Sequence, residues 1–230
     1  MPPKKTVTSA AVDDYLKAIL ALSGAEEERV SSNAIAARLN VRAASVTGML
    51  QKLAAQQPSL VHYEKHRGVT LSAAGKRRAW EIVRHHRLLE LFLHDVLKYS
   101  WDEVHEEAER LEHFISERFE DRVAAILGDP EIDPHGHIIP HRNGTLPVRV
   151  EAPLQGLEVN TPATVSSVSD REPAALRELH GLGLVPGAAV MVERRNAHSM
   201  AMRIGSATVS VRLSNELAAR VAIIVTPAAG

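Results

Sequence analysis

The spacing of apolar residues changes near residue 150, and this limits the fold more than any other feature of the chain. Before that point apolar side chains recur at helical spacing over long stretches. After it they gather into short β-type runs (Ala163–Val168, Val190–Arg194, Met200–Ile204, Thr208–Val211 and Ala222–Val225) with turns between them and one short helix near Pro173 to Leu182. The chain therefore reads as mainly α with small β parts. Residues 151–230 are expected to form a compact SH3-like β-barrel, entered through a Pro/Gly-containing linker at Ala152 to Pro162.

The first 73 residues have the order of a winged helix-turn-helix. Thr8 to Leu22 places Val12, Tyr15, Leu16, Ile19 and Leu20 on one face. Ser31-Ser32-Asn33 can cap a short helix to Leu39, and Asn40-Val41 makes a turn. Arg42 to Ala55 follows with Val46, Met49, Leu50 and Leu53 inward. Strand-like runs Leu60–Tyr63 and Val69–Leu71 then flank the charged tip Glu64–Gly68. In the expected recognition helix, small residues such as Ala44 allow close approach to base edges, and Arg42, Ser45 and Thr47 are candidate base or phosphate contacts. Lys52, Lys65 and Arg67 would meet the backbone. Residues 1–87 carry 14 Lys+Arg against 7 Asp+Glu, a net of +7, which suits a polyanion such as double-stranded DNA. The bland alternative is a helical dimer module with a solvated basic face.

Residues 74–150 are expected to be a helical domain, with helices from about Ser72 to Lys98 and from Trp101 to Leu127. Val104, Ala108, Leu111, Ile115 and Phe119 would form the apolar stripe of the second. Along its edge stand His105, Glu109, Glu112 and His113, within about a third of the helix circumference. His86 and Glu90, one turn apart, repeat this character on the preceding helix, and Asp13 or Asp14 on the first helix could add a carboxylate. Residues 88–150 carry 6 Lys+Arg against 14 Asp+Glu, a net of −8, and eight of the 12 histidines lie between residues 85 and 141. Gly128-Asp129-Pro130 should stop the helix. In the ordered loop expected at Glu131 to Asn143, His135, His137 and His141 are expected to order the chain rather than to bind metal.

The chain has no cysteine, so a bound metal must be held by nitrogen and oxygen, favouring Mn²⁺ or Fe²⁺ over copper(I). No apolar run approaches a membrane span, and Met1–Lys5 reads as a short disordered arm without a secretory signal, so a cytoplasmic location is expected. No nucleophile motif, phosphate loop or cofactor fingerprint appears, which argues against an enzyme and against a small organic substrate. A metal-dependent hydrolase or a metal-buffering bundle is the rival reading.

Taken together, these motifs resemble the diphtheria-toxin-repressor (DtxR/MntR) family of iron- or manganese-dependent transcriptional regulators, in its three-domain form with a C-terminal FeoA-like, SH3-like domain. The resemblance lies in Asp14-Tyr15-Leu16, Ile35-Ala36-x-x-Leu39-x-Val41-x-x-Ala44-Ser45-Val46-Thr47 and His86-Arg87-Leu88-Leu89-Glu90-x-Phe92-Leu93. It continues through Val104–His113, Gly128-Asp129-Pro130…Pro134-His135-Gly136 and Leu176-x-x-Leu179-x-x-x-Gly183-Leu184-x-Pro186-Gly187. It implies domains at 1–73, 74–150 and 151–230 and a homodimer on an operator. It also implies a primary site of Asp14, Glu109, Glu112 and His113, in which Asp14 and Glu109 stand where iron-type members hold methionine and cysteine; that exchange favours manganese. An ancillary site would use His86, Glu90 and His105, with Asp170 or Glu172 from the third domain. Lys17 stands where two-domain manganese members use a glutamate for a second, closely spaced metal. Gly48 stands where some members carry a base-contacting glutamine. The resemblance implies a repressor of metal-uptake genes whose metal clamps the DNA-binding part to the dimerisation part.

Overall fold

The computed structural model describes residues 10–24, 28–206 and 210–226. The expected arm, the first two residues of the helix expected from Thr8, and Thr208–Val209 lie outside the described residues. By internal contacts the chain gathers into two compact units. One holds the chain up to His85 together with Glu112–Phe114 and Pro140–Thr145; the other holds His86–Leu111, Ile115–Ile139 and the chain from Leu146 onward.

The first unit is built on α1 (Ala10–Ser23), α2 (Ser32–Leu39), α3 (Ala43–Ala54) and a hairpin of β1 (Val61–Glu64) and β2 (Gly68–Leu71), leading into α4 (Ala73–Asp95). Its core joins Val12, Leu16 and Ile19 of α1 to Ile35, Val46, Leu50, Leu53, Val61 and Val69. Ser31 caps α2 by accepting from the Ala34 amide at 3.1 Å. Asn40 ends it in the left-handed conformation at φ 52°, which asparagine tolerates better than most residues, and the chain turns there into α3. The hairpin pairs Val61 with Leu71 and Glu64 with Gly68. At Gly75 a side chain would stand 1.9 Å from the Leu60 carbonyl oxygen, so only glycine lets α4 start this close to the hairpin.

The second unit contains the rest of α4, α5 (Val104–Leu111), α6 (Glu117–Ile126) and a six-stranded antiparallel sheet. Its strands are β3 (Ala152–Pro153), β4 (Pro162–Val168), β5 (Ala189–Arg195), β6 (Ser199–Ile204), β7 (Val211–Ser214) and β8 (Val221–Val225), in the order β3-β8-β4-β5-β6-β7. Two helices, α7 (Pro173–Gly181) and α8 (Asn215–Ala218), complete it. Leu176 and Leu179 of α7 pack with Val165, Val192, Met202 and Ile223 in one core. This is the SH3-like part. Gly128 (φ 75°) and Asp129 (φ 53°) end α6 as expected, and the following loop closes on itself through an Ile132–Ile138 bridge. Among the described residues, no helix is long and apolar enough to cross a membrane.

The expected second long helix does not form as one piece. The helix read from Trp101 to Leu127 is two helices, with the chain turning at Glu112–Phe114. Ser116 is the reason: its backbone is extended and its hydroxyl accepts from the Phe119 amide at 3.2 Å, so it starts a new helix rather than continuing the old one. Glu112 and His113 therefore do not share the α5 face with His105 and Glu109. Leu111 and Ile115 still pack against Leu89, Leu93, Val104 and Ala108. Phe119, expected in the same stripe, is instead exposed on α6.

Candidate metal centres and nucleic-acid interface

In the first unit, Asp14 of α1 and Glu112 and His113 of the turn after α5 each bring one donor atom within 4.8 Å of the others. His113 Nε2 lies 3.1 Å from Asp14 Oδ1 and 3.4 Å from Glu112 Oε1. Adjacent donors around an octahedral ion held at about 2.1 Å sit roughly 3 Å apart, so the His113 nitrogen stands at near-ligand spacing from each of the two carboxylate oxygens. The other ring nitrogen, Nδ1, is 3.6 Å from Asp13 Oδ2, and Asp13 is held by Arg78 Nε at 2.6 Å. The neighbouring carboxylates of Asp13 and then Asp14 raise the His113 imidazole to about 10 against its partial burial. Burial pushes Asp13 upward, but His113 and Arg78 together hold its carboxyl below the ordinary range. A buried carboxylate behind a ligand imidazole fixes ring orientation and increases basicity. The residues alone left Asp13 and Asp14 open and the resemblance implied Asp14; the supporting place of Asp13 was not expected. Glu112 is 0% exposed, and both its oxygens accept from Lys17 Nζ, at 2.7 and 2.8 Å.

Glu109 is not in this group. It lies on α5 in the second unit, 42% exposed, with Oε1 4.0 Å from His86 Nδ1.

The second unit brings together His86, Glu90, His105 and Asp170. Glu90 Oε1 lies 3.0 Å from His86 Nε2 and 3.1 Å from His105 Nδ1, and those two nitrogens are 3.1 Å apart. Two imidazole nitrogens this close cannot both point a hydrogen at the other, so one must offer a lone pair. Asp170 Oδ2 is 3.4 Å from His105 Nδ1. Burial would lower the His105 imidazole, but Asp170 and Glu90 raise it to about 10. Burial likewise works against charge on Glu90 and Asp170, and the histidines overcome it, holding both carboxyls well below their ordinary range. Glu90 Oε2 is buried without a hydrogen-bond partner. Two imidazoles, two carboxylates and one orphaned oxygen make a donor set that fits a divalent cation. Glu172, the alternative to Asp170, is not brought here; its carboxylate pairs with Arg220 at 2.7 Å.

The loop after α6 adds a group that the sequence reading assigned to chain ordering. Asp133 Oδ1 accepts from the amides of His135 and His137, both at 2.9 Å, and His137 Nδ1 is 3.2 Å from Asp133 Oδ2. These contacts do order the loop, yet His135 Nδ1 also lies 3.8 Å from Glu90 Oε1 and His137 Nδ1 lies 3.8 Å from Asp170 Oδ2. The signal was present as Asp-x-His-x-His. Gly136 (φ 87°) makes the placement possible, because a side chain there would meet the Ser166 carbonyl oxygen at 2.1 Å. Trp101 ties the loop down, donating from Nε1 to the Pro134 carbonyl at 2.9 Å while packing against the sheet core.

On α3, Arg42, Ala44, Ser45 and Lys52 are exposed, as are Gly48 and Gln51. Ala44, Gly48 and Gln51 share one helical face, which Gln51 continues beyond the residues singled out from sequence. Thr47 is half-buried and its hydroxyl donates back to the Ala43 carbonyl at 3.3 Å, within the helix. Lys65 and Arg67 are exposed at the hairpin tip, where Arg67 pairs with Glu64 at 3.2 Å. Arg67 and then Arg29 pull the Glu64 carboxyl below its usual range.

Comparison with known proteins agrees with this arrangement. Three family models match: the iron-dependent repressor N-terminal DNA-binding domain over residues 7–69, the iron-dependent repressor metal-binding and dimerisation domain over 72–141, and the FeoA domain over 152–225. The chain is 30% identical over 201 residues to the diphtheria toxin repressor of Corynebacterium jeikeium, covering 76% of this chain and 82% of that one. It is 35% identical over 128 residues to the iron-dependent repressor IdeR of Mycobacterium leprae, a match spanning 55% of this chain and only 54% of the relative. Among solved structures, a manganese-dependent transcriptional repressor in complex with manganese superposes with a TM-score of 0.86 at 36% identity, over 94% of this chain and all of that one. ScaR with bound Zn²⁺ superposes at 0.76 and 28% identity, over 93% of this chain and 98% of that one. With a winged helix-turn-helix, clusters of nitrogen and oxygen donors and an SH3-like sheet, the chain belongs to the iron-dependent repressor family typified by the diphtheria toxin repressor.

Proposed function

We propose that the chain is a manganese-activated transcriptional repressor that binds an operator in double-stranded DNA as a homodimer and controls metal-uptake genes. In this reading residues 1–73 read DNA, 74–150 dimerise and bind metal, and 151–230 modulate the response. The observation that carries it is the Asp14–Glu112–His113 group, two oxygens and one nitrogen gathered without sulfur around the buried Glu112. Such a donor set suits Mn²⁺. The second cluster, with two imidazoles, also suits Fe²⁺, which is the second reading. Bound in the Asp14–Glu112–His113 group, a divalent ion would add positive charge beside the Asp14 and Glu112 carboxylates.

Asp14 is part of α1, whose opposite face is buried in the core that carries α3. Glu112 and His113 come from a distant stretch of chain. Holding the two together sets the stance of α1, and with it the stance of α3. In a homodimer the two copies of α3 must meet major grooves about one helical turn, or a multiple of it, apart. The metal thereby selects the DNA-competent state, and DNA must tighten metal binding in return.

An electrophoretic shift titration on an operator fragment, with Mn²⁺ and after chelation, tests this. Binding that appears only with Mn²⁺ is expected. Equal binding in both conditions would reduce the protein to a metal-independent regulator, and no binding with any divalent metal would return the metal-buffer or metalloenzyme readings.

A further inference from the structure

The geometry points to Lys17 as a tethered competitor for the cation of the Asp14–Glu112–His113 cluster, setting the metal concentration at which that cluster fills. This inference rests on the reading of the cluster as the activating metal site. Lys17 follows Asp14 by three residues on α1, so both side chains leave one face of the helix. Its ammonium is nearly equidistant from the two oxygens of Glu112, at 2.7 and 2.8 Å, where the inner lone pairs of a carboxylate converge. The Glu112 side chain is 0% exposed and that of Lys17 only 17%, so the pair is largely sealed from water. A buried carboxylate needs a positive partner, and here the chain supplies its own.

A divalent ion that takes Glu112 faces two options. It can displace the ammonium, giving up an ion pair already made. Alternatively it can bind on the outer lone pairs beside the ammonium, placing two cations a few ångströms apart where water screens them poorly. Both weaken metal binding. A lysine on the same chain competes at a constant effective concentration, so it acts as an internal standard against which free metal is measured. The consequence is a regulator that stays unloaded at metal levels its donor atoms alone could capture.

Calorimetric Mn²⁺ titration of the full chain tests this, comparing the unaltered protein with Lys17→Met, Lys17→Arg, His113→Ala and the Lys17→Met/His113→Ala double variant. Lys17→Met keeps the length of the side chain and removes the charge. The expected result is about tenfold tighter binding of one Mn²⁺ by Lys17→Met, with the gain lost in the double variant and Lys17→Arg close to the unaltered protein. Thermal unfolding without metal should fall in Lys17→Met, and the rise on adding Mn²⁺ should be larger than in the unaltered protein. Unchanged or weaker Mn²⁺ binding by Lys17→Met, or a gain that survives loss of His113, overturns the role of Lys17 while leaving the metal site standing. If neither the unaltered protein nor Lys17→Met shows any binding that depends on His113, the metal-site reading falls, and this role falls with it.

Discussion

His113 presents each of its ring nitrogens to a different purpose: Nε2 toward Asp14 and Glu112, Nδ1 toward Asp13, which Arg78 holds. The two nitrogens should therefore fail differently on mutation. His113→Ala or Glu112→Gln is expected to abolish Mn²⁺-dependent operator binding, whereas Asp13→Asn should weaken metal affinity by about 10- to 100-fold without eliminating the response. Operator titrations across a range of Mn²⁺ separate the two, and equal loss in all three would remove the distinction between ligand and support. Glu109→Ala in the same assay tests the fourth ligand that the resemblance implies. Donor types were legible in the sequence because carboxylates and imidazoles are rare in such density. Their grouping came only through the resemblance, not from the residues alone. Neighbours in sequence such as Asp13 and Asp14 differ only in which way a helix turns them, and Asp170 was separated from Glu172 only by the cation each side chain met first, His105 for one and Arg220 for the other.

At the scale of elements, the break between α5 and α6 decides where Glu112 and His113 go. Ser116→Ala should cost about 1 kcal/mol of stability through the lost cap and should also weaken Mn²⁺ binding, measured by thermal unfolding and metal titration on the same sample. A stability loss with metal binding untouched would mean that the turn holds its shape without the cap. On α6, Phe119 and Ile126 lie seven residues apart on one face and are both exposed in the single chain. Since residues 74–150 are the part proposed to dimerise, Phe119→Glu with Ile126→Glu tests this face and is expected to shift the mass seen by light scattering from dimer to monomer. A dimer that survives both changes places the interface elsewhere. The winged helix-turn-helix was readable element by element, since its caps, its Asn40 turn and its glycine-bounded hairpin are local signals. The α5–α6 break was missed because an unbroken apolar period runs through it; a single serine in a capping position outweighed that period.

Across the whole molecule, the net charge of +7 on residues 1–87 against −8 on residues 88–150 places the attraction for DNA at one end of the sequence. Operator affinity should fall steeply as salt rises, and Lys65→Ala with Arg67→Ala should flatten that slope by roughly one to two phosphate contacts. A slope unchanged by both substitutions would leave the hairpin tip clear of DNA. The SH3-like part contributes Asp170 to the second cluster. Removing residues 152–230 is therefore expected to weaken the Mn²⁺ response without ending it. The class of this part was legible from its short β-type runs, whereas its contribution to the cluster depends on Gly136 letting a distant loop lie against Ser166, which no local pattern announces.

Every donor in the two described clusters is nitrogen or oxygen. Peroxide, which converts a thiolate ligand stepwise to sulfenic and sulfinic acids, finds no sulfur to attack in either one. Ligands of this kind escape thiol oxidation, which would strip the metal from a sulfur-containing equivalent.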